Sequence, residues 1–304
     1  MKDESPKAIL YALAANIGIA VFKFAAAIFT QSGSMFAEAI HSSADCGNQL
    51  LLLFGLREAR KPPSPLHPMG AGREINFYSL LVALLLFFVG GAFSVYEGVH
   101  RLFAREPLSY AFVALAVLGV SVVPESLSLA GAVREIRKTY PDKSMWSWFR
   151  ETRESDLLVI AGEDIAALAG LAIAFVAVLL TMITGNPAFD ALGSIGVGVL
   201  LMVIAWLVAR EVKSMIVGES ASPDVRRAIE AHLRARSEIR GIINLITLQW
   251  GRDVVVAVQA EMIAYSSGRA MVDAINVIEA DLQETFPQVR WVFFEPDVPR
   301  DQRG

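Results

Sequence analysis

Three side chains that could bind a metal ion or carry protons interrupt an apolar stretch near the start of the chain. They are Glu38, His41 and Asp45, all within residues 36–59. A charged group at the depth of a bilayer costs at least a few kcal/mol, so each of them needs a specific role. His41 and Asp45 are four residues apart, so a helix places them on one face with their tips close together. An imidazole and a carboxylate on one face supply half of a tetrahedral metal site.

A second acidic cluster lies in another apolar stretch, residues 156–183. Glu163 and Asp164 lie about two turns from the start of this stretch. With His41 and Asp45 they would supply one nitrogen and several oxygen ligands between two helices. The spacing also allows another interpretation, in which His41 and Asp45 form a buried hydrogen-bonded pair and the acidic pair faces water. The matching depth of the two clusters favours the metal site.

The composition identifies the elements that must position these residues as membrane helices. Of the 304 residues, 54% are hydrophobic and only 19% are charged, whereas soluble domains have about 25% charged residues. The mean hydropathy is +0.48. Apolar runs longer than the roughly 18–20 residues that span a bilayer predict six transmembrane helices, at residues 8–30, 36–59, 76–102, 108–132, 156–183 and 187–210. A wholly soluble protein is excluded, and so is a disulfide scaffold, because Cys46 is the single cysteine.

The last part of the chain has a different composition and predicts a water-soluble domain. Charged residues become frequent from about residue 219, and the pattern reads helix, strand, strand, helix, strand. Ser222 and Pro223 are a typical N-cap and first residue of a helix. The predicted strands are residues 242–250, 254–262 and 289–294. We therefore expect a transmembrane domain at residues 1–217 and a cytoplasmic α+β domain of the ferredoxin-like kind at residues 218–304.

Basic residues in the loops predict the orientation of the helices. The loops after the second and fourth predicted helices are rich in them: Arg57, Arg60, Lys61 and Arg73, then Arg134, Arg137, Lys138, Lys143, Arg150 and Arg153. The loops at residues 30–34 and 184–186 contain no Lys or Arg. Both termini should therefore be cytoplasmic.

Five stretches of the chain resemble motifs of the cation diffusion facilitator family. They are SGS and AEAIHSSAD at residues 32–34 and 37–45, HPMGAGRE at 67–74, YEGVHRL at 96–102 and DALGSIGVG at 190–198. They occur in the family's order, and the resemblance extends over nearly the whole chain, including its tail. Asn48, Gln49 and the adjacent Glu163 and Asp164 make the chain most similar to the zinc transporter 9-like branch of that family.

The resemblance implies a homodimeric antiporter that exports a divalent transition metal from the cytoplasm in exchange for protons. His41 and Asp45 match the family's metal ligands on the second helix. The fifth helix departs from the usual His-x-x-x-Asp pattern, because Glu163 is followed at once by Asp164. Adjacent residues on a helix point about 100° apart. We expect Asp164 to bind the metal and Glu163 to be either a ligand or a proton acceptor.

The donor set limits the choice of metal without fixing it. One imidazole with two or three carboxylates suits Zn²⁺, which is our first choice, and tolerates Mn²⁺, Fe²⁺, Co²⁺ or Cd²⁺. We expect no resident cofactor, no nucleic-acid partner and no enzymatic activity, because the sequence has no nucleophile–base pair, phosphate-binding loop or basic run. The alternative function is that of a non-transporting membrane dimer, a scaffold or a metal-responsive partner.

Several other polar residues have a structural explanation as well as a functional one. Glu38 could relay protons or make a hydrogen bond between helices, and Glu125 should line a polar cavity beside Pro124. His67 could deliver metal or simply be solvated. His232 is the single histidine of the predicted tail and is expected to be an exposed helix residue, so the tail should dimerise without a regulatory metal cluster. We expect an integral protein of a bacterial inner membrane, because the chain shows no targeting extension.

Overall fold

The computed structural model describes residues 6–104, 108 and 110–298, and it divides them into two compact units. The first unit contains the chain up to Arg57, Ile75–Met145 and Ser155–Lys213. The second contains Glu58–Glu74, Trp146–Glu154 and the chain from Ser214 onward. Residue 109 of the predicted fourth helix, and residues 1–5 and 299–304 of the predicted domains, lie outside the described residues.

The first unit is helical, and each of the six predicted helices coincides with a helix of the described chain. They are α1 (Pro6–Thr30), α2 (Gly33–Ala59), α3 (Glu74–Ala104), α4 (Ala111–Thr139), α6 (Ser155–Thr184) and α7 (Ala188–Val217). A short helix that the apolar pattern did not predict, α5 (Met145–Glu151), precedes α6. Helices α4 and α7 extend seven residues past their predicted ends at 132 and 210, because charged helical turns follow the apolar spans.

Four helices of the described chain are long and apolar enough to cross a membrane. They are α3, α4, α6 and α7. The shorter segment Asn16–Thr30 of α1 is also apolar. Helix α2 is less apolar because it carries Glu38, His41 and Asp45. The first unit is therefore a helical membrane domain of four long apolar helices together with the two N-terminal helices.

Glycine allows α3 and α7 to pack with their backbones almost in contact. A Cβ atom on Gly98 would lie 2.8 Å from the carbonyl oxygen of Ala191, and one on Gly198 would lie 2.6 Å from that of Gly91. Such distances leave no room for any side chain. Small residues are common where membrane helices pack closely, and Gly98 and Gly198 lie at such a contact between α3 and α7. Helix α3 also contains a π-helical segment, Leu86–Ala92, within this interface.

The second unit is built on a three-stranded sheet. Its elements are α8 (Pro223–Arg234), β1 (Ile239–Trp250), β2 (Asp253–Met262), α9 (Gly268–Thr285) and β3 (Val289–Pro296). Strand β2 is central, antiparallel to β1 and parallel to β3. The Ser222 hydroxyl accepts a hydrogen bond from the Val225 amide, which confirms the predicted N-cap. The helices bury one face of the sheet through a core of aliphatic residues that includes Ile229, Leu233, Val256, Val258, Ile278 and Leu282.

Two short segments from between the membrane helices pack within the second unit. The Arg73 guanidinium lies over the Trp250 ring, 4.2 Å from its centroid, and the Trp250 indole N–H donates to the Gly70 carbonyl over 3.3 Å. Arg153 forms an ion pair with Glu219 at 2.9 Å. These contacts tie the segments 58–74 and 146–154 to the sheet and its neighbouring chain.

The close packing of α3 on α7 predicts a strong effect of a single methyl group. We expect Gly98→Ala to destabilise the protein by about 1–3 kcal/mol, because its Cβ meets backbone atoms that cannot move alone. Thermal unfolding of the purified protein in detergent measures the change. Gly119→Ala is the matched control, because a Cβ at Gly119 has nothing within 4 Å. Equal unfolding temperatures for the two variants would contradict this account of the interface.

Candidate metal site

His41 and Asp45 lie one turn apart on α2 and face each other without forming a hydrogen bond. His41 Nδ1 and Asp45 Oδ1 are 3.6 Å apart, which is longer than a hydrogen bond. Both ring nitrogens of the buried His41, and Asp45 Oδ1, have no hydrogen-bond partner among the described residues. Buried polar atoms normally have partners. The imidazole and the carboxylate therefore face each other without the hydrogen bond that the alternative interpretation requires.

Glu163 and Asp164 are both buried on α6, and they point to different neighbouring helices. The Asn48 side-chain amide of α2 donates a short hydrogen bond to Glu163 Oε1. The Ser128 hydroxyl of α4 donates to Asp164 Oδ1 over 2.8 Å, while Asp164 Oδ2 has no partner among the described residues. The divergence follows from the rotation of about 100° between successive helical residues.

The carboxyl groups of Asp45, Glu163 and Asp164 are near enough to interact electrostatically, and His41 faces Asp45. Asp45 interacts with Glu163 and with Asp164, which in turn interact with each other. Across the described parts of the chain, no three His, Cys, Asp or Glu side chains form a group that could hold a metal ion. The structure therefore brings together His41 and Asp45 as a pair, and keeps Glu163 and Asp164 hydrogen-bonded to separate partners. A shared ion would have to draw these groups toward one another.

The donor atoms without partners have the chemistry of a transition-metal site. They include the ring nitrogens of His41 and single oxygen atoms of Asp45, Asn48 and Asp164. Neutral imidazole nitrogen and carboxylate oxygen are the usual ligands of Zn²⁺ after thiolate sulfur. The thiol of Cys46 donates to the Ser42 carbonyl of its own helix over 3.3 Å, away from this set.

The supporting residues around the site were largely missed by the sequence analysis. Asn48 and Ser128 hold the carboxylates of α6, and Lys23 of α1 lies buried against Glu38 and Glu125. A lysine in the middle of an apolar helix was the signal that could have identified this contact. Glu125 is mostly buried by its contact with Lys23, and Glu38 makes the predicted interhelical contact.

Asp190 fixes the start of α2 and hence the position of its ligands. Its side chain is buried and accepts hydrogen bonds from the Ser32 hydroxyl at 2.7 Å and from the Gly33 amide at 2.6 Å. The Ser34 amide also donates to it, over 3.2 Å. A carboxylate at a helix N-terminus satisfies free amide groups and interacts favourably with the helix dipole. Asp190 thereby joins the first turn of α7 to the first turn of α2.

The histidines outside this cluster have ordinary environments. His67 is exposed in its loop. His232 is half-buried and not exposed as predicted, because its ring bonds Asp281 of α9 at 2.6 Å. Arg236 binds the same Asp281 carboxylate at 3.2 Å.

Comparisons with known proteins identify the class to which this membrane unit belongs. A family profile described as the cation efflux transmembrane domain matches residues 9–217. The chain therefore belongs to the cation efflux family, which is a family of transporters and not of enzymes. This confirms the family, and the exclusion of an enzyme, that the sequence motifs predicted.

Individual relatives place the chain near zinc transporters of this family. It is 37% identical over 239 residues to the human mitochondrial proton-coupled zinc antiporter SLC30A9. The aligned residues make up 78% of this chain and 42% of the human protein. It is 32% identical over 220 residues to metal tolerance protein C4 of Arabidopsis thaliana, covering 72% and 48%. To the zinc transporter ZitB of Escherichia coli it is 22% identical over 278 residues, covering 90% and 83%. The chain thus spans about two fifths of the human relative's length.

The hydrogen bond from Asn48 predicts a role for this amide in metal affinity. We expect Asn48→Ala to weaken Zn²⁺ binding about 10–100-fold, because Glu163 loses the group that orients it toward α2. Titration calorimetry on the purified protein measures the affinity. Gln49→Ala removes a neighbouring exposed amide and should bind Zn²⁺ like the unmodified chain. Unchanged affinity in Asn48→Ala would show that Glu163 does not depend on this bond for metal binding.

Proposed function

We propose that the chain exports a divalent transition metal from the cytoplasm in exchange for protons, by exposing one site to each side of the membrane in turn. Zn²⁺ is the first choice of metal. The observation that carries the proposal is the set of buried nitrogen and oxygen atoms without partners on His41, Asp45 and Asp164. Two further facts support it: these residues lie in the helical unit of a cation efflux family member, and the similar human protein is named a proton-coupled zinc antiporter.

Coupling to protons follows from the chemistry of these ligands. An imidazole binds a metal only when neutral, and a carboxylate only when ionised, so metal and protons compete for the same atoms. Loading the site from the cytoplasm releases protons, and proton binding from the other side favours metal release. His41 and Asp45 would be the minimum set for this exchange. The surroundings of His41 and Asp45 have low polarity, so uncompensated charge at the site is costly. This cost favours full exchange of metal for protons.

The metal preference follows from the donor types. One imidazole and carboxylate oxygens suit Zn²⁺ and tolerate Mn²⁺, Fe²⁺, Co²⁺ and Cd²⁺. The Cys46 thiol bonds its own helix backbone, so the proposed site contains no sulfur ligand. Asp164 is the proposed ligand from α6, because one of its oxygens has no hydrogen-bond partner among the described residues. Glu163, held by Asn48, is the proposed proton acceptor or further ligand.

The finer predictions on topology and location remain part of this proposal. We propose that all six helices α1, α2, α3, α4, α6 and α7 cross the bilayer, with both termini cytoplasmic. In this scheme residues 1–217 form the membrane domain and 218–304 a cytoplasmic ferredoxin-like domain. A bacterial inner membrane stays a prediction, because the relatives include mitochondrial proteins as well as a bacterial one.

Transport in proteoliposomes tests the proposed function. With an imposed pH gradient, the unmodified chain should take up Zn²⁺, and Asp45→Ala should reduce uptake to the level of protein-free liposomes. Cys46→Ala changes the next residue on α2 without touching the proposed ligands and should keep full uptake. A panel of Mn²⁺, Fe²⁺, Co²⁺ and Cd²⁺ measures selectivity. Retained uptake in Asp45→Ala would refute the site.

The rival function, a non-transporting membrane scaffold, is favoured by one observation. Among the described residues, no three candidate ligands already form a group that could hold a metal ion. The same experiment separates the two functions. A folded protein that takes up none of the five metals would support the scaffold, whereas uptake dependent on the pH gradient would exclude it.

The open face of the sheet supports the proposal of a homodimer. Ile246 of β1, Ala257 of β2 and Phe293 of β3 are directly paired in register on the face opposite the helices. Ile246 and Phe293 are 55% and 57% exposed. Exposed apolar rows of this kind commonly mark contact surfaces. In the proposed dimer, this row contacts the same row of a second copy.

Charge placed in this row should separate the proposed dimer. We expect the double variant Ile246→Asp and Phe293→Asp to be monomeric, because two buried carboxylates would face two others across the interface. Light scattering coupled to size-exclusion chromatography measures the mass. Val272→Asp, at an exposed valine of α9, is the control that should leave the mass unchanged. A dimeric double variant would rule out this face.

A further inference from the structure

Lys23 lies completely buried in the membrane unit and contacts three oxygen-bearing side chains. Its ammonium nitrogen is 2.7 Å from the Ser42 hydroxyl oxygen, 3.4 Å from Glu125 Oε1 and 3.5 Å from Glu38 Oε2. Lys23 comes from α1, Ser42 and Glu38 from α2, and Glu125 from α4. The ammonium group therefore occupies a pocket of oxygen atoms contributed by two other helices.

The charges in this pocket are unequal. One ammonium faces two carboxyl groups, and it can neutralise only one of them. Glu38 contacts the ammonium through Oε2 only, while its Oε1 is buried on the side of Gly170 of α6 and has no hydrogen-bond partner among the described residues. The ammonium is also farther from both carboxyl groups than the roughly 2.7–2.9 Å of a close charged hydrogen bond. Two ionised carboxylates would therefore suit a cation with more charge than lysine supplies.

The pocket adjoins the proposed metal site. Glu38 precedes His41 by three residues and Ser42 follows it directly, so one stretch of α2 contributes to both. Lys23 interacts electrostatically with His41 and with Asp45. When one metal ion is bound at His41 and Asp45, the Lys23 ammonium therefore repels a second metal ion from the pocket.

We propose that Lys23 is a tethered cation that fills a second cation site, formed by Glu38, Ser42 and Glu125, and so limits the membrane unit to one divalent ion. This inference rests on the proposed function of the His41 and Asp45 site. The second site contains oxygen donors only. Oxygen donors suit Mn²⁺, whereas imidazole suits Zn²⁺. Lys23 is thus a residue that determines how many ions are bound and which ones.

Removing the ammonium should open the second site. A divalent ion in place of Lys23 matches the charge of two ionised carboxylates, and small side-chain rotations would bring their oxygens within coordination distance of Mn²⁺. Lys23→Met keeps the length and bulk of the side chain but removes its charge. In Lys23→Met with Glu125→Gln, one of the two carboxylates is also gone, and the site should be lost again.

The test counts the metal ions bound to the purified full chain by equilibrium dialysis and elemental analysis, with Zn²⁺ and Mn²⁺. The unmodified chain should bind one Zn²⁺, Lys23→Met should bind one further ion and prefer Mn²⁺ for it, and the double variant should return to one. The proposal is overturned if Lys23→Met and Lys23→Gln bind the same number of ions as the unmodified chain.

Further variants separate this proposal from the proposed function. Asp45→Ala should bind no ion, whereas Lys23→Met combined with Asp45→Ala should bind one. If the unmodified chain binds none, the proposed metal site at His41 and Asp45 fails. The extra ion gained by Lys23→Met would still support the second site.

The folding of the variants supplies a second readout. Lys23→Met leaves two buried carboxyl groups without a cation, so it should unfold at a lower temperature in chelator and recover with Mn²⁺. If neither Lys23→Met nor Lys23→Gln folds, the neutral variant Lys23→Met, Glu38→Gln and Glu125→Gln decides. A folded neutral variant supports the requirement for a cation, and an unfolded one shows that Lys23 acts by packing and overturns the proposal.

Discussion

The high cost of leaving a polar group alone in an apolar interior governs the helical unit of this chain. A lone ionised group in such surroundings is strongly disfavoured, so it must be paired or must bind an ion. Lys23 pairs with Glu38 and Glu125, Asn48 with Glu163, and Ser128 with Asp164. His41 and Asp45 are exceptions, because both ring nitrogens of His41 and Oδ1 of Asp45 lack a hydrogen-bond partner among the described residues. A bound metal ion would supply the partner that these buried atoms lack.

The rest of the unit holds these groups in place. Asp190 binds the first turn of α2 and so sets the height of His41 and Asp45 relative to α7. Glycines such as Gly98 and Gly198 bring the backbones of α3 and α7 almost into contact. Gly170 of α6 likewise leaves room for Glu38, whose Oε1 atom would lie 2.7 Å from a Cβ at that position. Small residues and buried hydrogen bonds therefore act together, the first allowing close approach and the second fixing the register.

Much of this organisation could be predicted from local sequence patterns. The apolar runs gave the six helices, and the spacing of His41 and Asp45 gave their common face, because both depend only on helical periodicity. The strands and the N-cap at Ser222 were accessible for the same reason. The pairing of Lys23 with Glu125 was not, since it joins residues 102 positions apart through a packing that no local pattern encodes. Helical rotation predicts that Glu163 and Asp164 diverge, but the neighbours that they meet, Asn48 and Ser128, follow from the packing of the helices.

The central claim is that a transition metal takes the place of the missing partners of His41. X-ray absorption at the zinc edge of the Zn²⁺-loaded protein tests it most directly. We expect nitrogen and oxygen ligands at about 2.0–2.2 Å with the scattering signature of one imidazole, which should disappear in His41→Ala. A sulfur shell at about 2.3 Å, or an imidazole signature that persists in His41→Ala, would contradict the account.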